Sequence, residues 1–140
     1  MAGKKSLQGR FPGFEQCLRM MRKPHDAMTS EDGFFWLLPH AGEYVTELMA
    51  EFEREDNAGM RFYLLELIAY SGSPEAVPLL MEQLRSDNES LRHWAVYGLK
   101  TINIKEARRA LWEARSYTFA TEEETQSFQR MLERVRMNKK

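Results

Sequence analysis

The sequence predicts an all-α fold of stacked helical hairpins, and three observations carry that prediction. First, the segment Asp56-Asn-Ala-Gly-Met-Arg-Phe-Tyr-Leu-Leu-Glu-Leu-Ile68 has a counterpart at Asp87-Asn-Glu-Ser-Leu-Arg-His-Trp-Ala-Val-Tyr-Gly-Leu99, at an offset of 31. The two share Asp56/Asp87, Asn57/Asn88 and Arg61/Arg92, and the register continues through Glu75/Glu106, Ala76/Ala107 and Leu80/Leu111. A fixed period in this range marks hairpins that bury a continuous core by stacking. Second, apolar residues recur at three- and four-residue intervals, and no alternating strand pattern with hairpin turns occurs. Third, cap and stop residues stand where the hairpin turns should lie.

Taken in order, the first 39 residues are dense in breakers (Gly3, Gly9, Pro12, Gly13, Pro24, Gly33, Pro39). They leave room for short helices near Phe14–Arg22 and Asp32–Leu38. This stretch reads as an N-terminal capping segment, with Phe34, Phe35 and Trp36 sealing the core. From Ala41, the residues Tyr44, Val45, Leu48, Met49 and Phe52 form one apolar face of a helix of about four turns, with Pro39 in its first turn. Asp56-Asn57 opens a second helix, Gly59–Tyr70, which is apolar almost all round and so belongs between neighbours. In Ser71-Gly-Ser-Pro74, Gly72 supplies a stop, Ser73 an N-cap and Pro74 the first helical position. A third helix runs to about Arg85 and a fourth spans Glu89–Thr101. Asn103-Ile-Lys-Glu106 and Thr121-Glu-Glu-Glu124 offer capping boxes for a fifth helix ending near Arg115 and a sixth reaching Met137. The hairpins are then 40–71, 74–102 and 104–137. The expected organisation is a cap at 1–39 forming one domain with a repeat region at 40–137, and a tail at 138–140.

Composition narrows the class. A chain of 140 residues with 43% hydrophobic and 29% charged residues can bury a real core. The single Cys17 excludes an internal disulfide and a Cys-rich zinc site, and a lone thiol fits a reducing compartment. It sits in an amphipathic run where a small buried hydrophobe is expected. Met1-Ala-Gly-Lys-Lys5 is not followed by an apolar stretch, and Ala2 stands where N-myristoylation needs glycine. No run approaches the ~18 apolar residues of a membrane span, so a cytoplasmic protein is expected. Charge is uneven: residues 1–23 carry +5 and residues 24–60 carry −8. An acidic block of that size can steer a basic partner.

No phosphate-cradling glycine loop, Walker pattern or GxSxG elbow is present. His25, His40 and His93 lie far apart, and none has a partner at metal-ligand helical spacing. Carboxylate pairs such as Glu51/Glu55 are routine on helix surfaces and argue for no acid–base pair. Neither catalysis, a cofactor nor a metal is expected.

The pattern Asp87, Leu91, Arg92, Ala95, Gly98, Leu99, preceded by Pro74-Glu-Ala-Val-Pro-Leu-Leu-Met-Glu-Gln-Leu84, resembles a HEAT repeat. The likeness is specific over 74–102, fair over 40–71 and weak over 104–137. It implies a short right-handed α-α superhelix of about three hairpins. Ala95 and Gly98 would admit close helix approach, and Asp56/Asp87 with Arg61/Arg92 would form a ladder between repeats. It also implies that second helices line a concave face, which here would present Arg61, Phe62, Leu65, Glu66 and Ala69 beside Arg92, His93, Val96, Tyr97 and Lys100. The acids Glu43, Glu47, Glu51 and Glu55 offer a second surface on the first helix. The expected function is non-catalytic binding of one dedicated protein partner. HEAT-like immunity proteins suggest a basic toxin as that partner, and HEAT-like bilin lyases suggest an accessory protein holding a pigment or small cofactor. HEAT-like DNA glycosylases suggest a nucleic-acid role, which the slightly acidic composition disfavours, and Trp94 and Trp112 read as core residues, large side chains on apolar faces. Nothing in the residues themselves points to a small-molecule ligand.

Overall fold

A computed structural model describes residues 10–23 and 27–138. Among them lie eight α-helices and no strand. They are α1 (Phe14–Met21), α2 (Ala27–Leu37), α3 (Val45–Arg54), α4 (Ala58–Ser71), α5 (Val77–Gln83), α6 (Glu89–Ile102), α7 (Lys105–Glu113) and α8 (Glu122–Asn138), with 3-10 turns at Leu38–His40, Pro74–Ala76 and Ala114–Ser116. The Met1–Lys5 terminus, His25 and the end of the 138–140 tail lie outside the described residues. The chain divides into two compact units, Met1–Ser71 and Gly72–Lys140. The division falls at Gly72, whose φ of 68° is left-handed and stops α4.

In the first unit, α1 buries Phe14, Cys17, Leu18 and Met21, one face at i, i+3, i+4, i+7. Cys17 has no exposed surface. Burial pushes its thiol up to about 11, so it stays protonated and packs as a small hydrophobe. Helix α2 is longer than the spacing predicts, because Gly33 does not break it. A Cβ at Gly33 would stand 2.7 Å from the Cys17 carbonyl oxygen and 2.8 Å from Met20 Cβ. The glycine thus permits a close approach of α1 and α2 at this point. The aromatic run splits: Phe34 is buried, Trp36 is half-buried and Phe35 is 47% exposed. Only part of it seals the core.

Helix α3 begins later than expected. Pro39 lies in the 3-10 turn, and three-residue bonds from Glu43 N to His40 O (2.9 Å) and Tyr44 N to Ala41 O (3.2 Å) delay the α-helix to Val45. Its length is therefore about three turns. Ala41, Val45, Leu48 and Phe52 are buried as the periodicity predicts. Helix α4 buries Met60, Leu64, Leu65, Leu67, Ile68 and Ala69, more than half its circumference, and packs on α3 and α2.

In the second unit the Ser73 hydroxyl accepts from Glu75 N (3.3 Å), with Pro74 opening the turn that leads into α5. Asn88 Oδ1 accepts from Ser90 N (2.8 Å) and Leu91 N (3.1 Å), a side-chain N-cap for α6. Helix α6 packs on α5, α7 and α8. Ala95 and Gly98 are both buried there. The Asn103 capping box does not form. Asn103 adopts a left-handed φ of 53° as the C-cap of α6, and α7 starts behind Ile104 without a side-chain cap. Thr121 does cap α8, accepting from Glu124 N (3.0 Å). Trp112 is 66% exposed rather than buried. The inner face of α7 and the turn after it belongs to Ala107, Ala110 and Ala114, and residue 112 falls off that stripe.

Candidate binding surfaces

Helix α4 is fixed by its own start. Asn57 Oδ1 accepts from Met60 N (2.9 Å), and the Arg61 guanidinium donates back to the carbonyls of Phe52 (2.8 Å) and Glu55 (3.1 Å). Its carbon lies 3.9 Å from the centroid of the Phe52 ring. Arg92 repeats the arrangement in the second unit. It is 1% exposed, donates to Ser86 O (2.7 Å) and lies 4.2 Å from the Phe119 ring centroid. Within each unit, then, the arginine bonds carbonyls at or just beyond the end of the preceding helix of its own hairpin. Both arginines are structural, which takes them off the candidate surface.

Three further candidates are core residues: Leu65, Ala69 and Val96 are all buried. On α4 what remains accessible is Phe62 and Glu66, half-buried, with Tyr63 and the exposed Tyr70. Burial pushes the Glu66 carboxyl above its usual value. On α6 the accessible set is His93, exposed, with Trp94, Tyr97 and Lys100 half-buried. The three rings form a row: His93 and Trp94 meet edge to face at 5.1 Å, and Trp94 and Tyr97 at 5.6 Å. Trp94 is the member that sequence reading assigned to the core.

The acidic helix is not the free surface its composition suggests. Arg22, at the end of α1, reaches both Glu51 (3.2 Å) and Glu55, and Arg54 holds Glu51 from the other side at 2.6 Å. Glu55 also accepts from Asn57 N (3.0 Å). Burial alone would push its carboxyl up, but the Asn57 amide and the Arg22 guanidinium outweigh that and hold it below its usual value. Glu51 and Glu55 thus join the capping helix to the first hairpin. Glu43 sits beside His40 Nδ1 (3.0 Å), whose ring stacks on Phe11 at 4.0 Å. Glu47 is exposed.

Sequence reading missed a groove of ≈ 710 Å³ in the first unit, lined by Met21, Met60, Phe62 and Tyr63 together with Arg22 and Lys23. Its walls come from helix starts and ends far apart in sequence, so no local pattern announces it. Among the described residues no group of three or more His, Cys, Asp or Glu could hold a metal ion. None of the helices there is long and apolar enough to cross a membrane.

Residues 45–122 match the family model for HEAT repeats. Comparison with curated proteins and with solved structures gives no match.

Proposed function

This chain belongs to the HEAT-repeat family, whose members are generally non-catalytic and mediate protein interactions, and on that premise we propose that it binds one dedicated protein partner through the outward sides of its second helices. The observation that carries the proposal is the aromatic row on α6. His93, Trp94 and Tyr97 stand in ring contact on the accessible side of a helix whose other side is buried and locked by Arg92 and Asn88. Rigid aromatic side chains on a fixed helix give contact area at little entropic cost, which is why they dominate binding energy at interfaces. Phe62 and Glu66 on α4 are the corresponding positions of the first unit.

The narrower reading, neutralisation of a basic toxin by the acidic helix, rests on Glu43 and Glu47 alone, because Arg22 and Arg54 already balance Glu51 and Glu55. The aromatic side is the better supported of the two. A second reading, an accessory protein holding a pigment or small cofactor, is favoured by the first unit's groove, whose volume suits a small ligand. Quantitative capture from a lysate of the source organism separates these readings. A protein retained by the wild-type chain should be lost with His93→Ala/Tyr97→Ala and kept with Glu43→Lys/Glu47→Lys. The reverse pattern supports the acidic helix, and loss with neither variant removes both surfaces.

A further inference from the structure

We infer that α2 and α4 of the first unit together form a docking face for a cationic side chain, lysine or arginine, of a partner protein. This rests on the protein-binding reading above and specifies the chemistry of the partner. The face is assembled from two helices packed on each other. On α2, Glu31 and Phe35 are four residues apart and share a side of the helix. Both are exposed, Phe35 unusually so for a phenylalanine. On α4, Tyr63, Glu66 and Tyr70 form one stripe at i, i+3, i+7.

The two stripes meet. Phe34 touches both Phe35 (5.3 Å, edge to face) and Tyr63 (5.4 Å). Burial pushes the Tyr63 hydroxyl up, and the negative charges of Glu31 and Glu66 add to that shift. Aromatic rings flanked by carboxylates are what a desolvated ammonium or guanidinium seeks, through ring quadrupole and charge together.

Charge complementarity selects the occupant. Within the described residues Glu31 and Glu66 take part in no hydrogen bond and no ion pair, unlike Glu51 and Glu55. Helix α2 contains no lysine or arginine, and the one cation of α4, Arg61, is committed to the Phe52 and Glu55 carbonyls. Arg22 and Lys23 line the groove that Tyr63 also borders, but Arg22 is committed to Glu51 and Glu55. The face thus offers two carboxylates unpaired within the described residues, Glu66 partly screened from water, beside exposed rings to receive the alkyl stem of a long basic side chain.

The test uses the full chain and a fluorescein-labelled octa-arginine peptide as probe, read by fluorescence anisotropy, with octa-glutamate as the opposite-charge control. Glu31→Gln/Glu66→Gln, which keeps the side-chain shapes, should weaken octa-arginine binding tenfold or more, and Phe35→Ala about threefold or more. Glu82→Gln/Glu106→Gln removes the same formal charge from exposed positions of the second unit and should change it less than twofold. Equal weakening by both double variants would assign the attraction to net charge and overturn the inference. So would an unchanged affinity in Glu31→Gln/Glu66→Gln, or no binding of octa-arginine by the wild type. If those results appear while His93→Ala/Tyr97→Ala still loses its captured protein, this inference alone falls and the protein-binding reading stands. Circular dichroism of each variant confirms that the comparison is between folded chains.

Discussion

At the scale of the residue, two charged groups are fixed by contacts that sequence only half discloses. Arg92 is buried with a carbonyl and an aromatic ring as company, and its Nε has no hydrogen-bond partner among the described residues. Arg92→Ala removes a charged hydrogen bond and opens a void where Phe119 packs, so it should cost about 2–4 kcal/mol in urea unfolding. Arg61→Ala, at a half-buried site, should cost less. The recurrence of Arg61 and Arg92 at one register was legible in the sequence, and so was their structural role. Their partners were not, because a backbone carbonyl looks the same whatever residue supplies it. Glu55 gives a pH signature. Its carboxyl is held below its usual value in the fold, so its contribution to stability is present above the unfolded carboxylate range and is lost as pH falls through the folded value. Glu55→Gln should therefore lower the melting temperature near neutral pH, and the two proteins should converge in acid. Glu66 has the opposite sign, its carboxyl being raised by burial. Its favourable term exists below the carboxylate range and disappears as pH rises, so Glu66→Gln should not destabilise the chain at neutral pH.

At the scale of the element, local chemistry was readable and crossing geometry was not. Ser73, Asn88 and Thr121 cap the turns or helices that their positions announce, since a cap needs only neighbours two or three residues away. Asn103 had two local roles open to it and took the left-handed C-cap of α6, a conformation asparagine tolerates better than most residues. Gly33 looked like a breaker because its reason lies in α1, at Cys17 and Met20. Gly33→Ala keeps a residue with better helix propensity yet drives a Cβ into a backbone oxygen. The clash should prevail over the propensity gain, lowering stability by about 1–3 kcal/mol in chemical denaturation. An equal or higher stability would mean that α1 and α2 separate without cost. Trp112 could have been placed outside by weighing the Ala107–Ala110–Ala114 stripe above the size of the tryptophan.

At the scale of the whole molecule, the all-α class and the repeat register followed from the 31-residue period, and the family match covers residues 45–122. The division of the chain at Gly72 was not anticipated, although the turn itself was. Charge told a partial story: within the first unit Arg22, from the basic first segment, bridges Glu51 and Glu55 of the acidic second one. Two of those acids, Glu51 and Glu55, are therefore balanced internally, through a contact across about thirty residues that no single-sequence pattern encodes. What remains for recognition is the residue set that differs between the two copies, Phe62 and Glu66 against His93 and Tyr97. Hydrogen exchange of the chain with and without its captured partner tests this most directly. The account predicts slowed exchange on α6 from His93 to Lys100, with residues 43–47 unchanged; protection confined to residues 43–47, or to the groove around Met60, would contradict it.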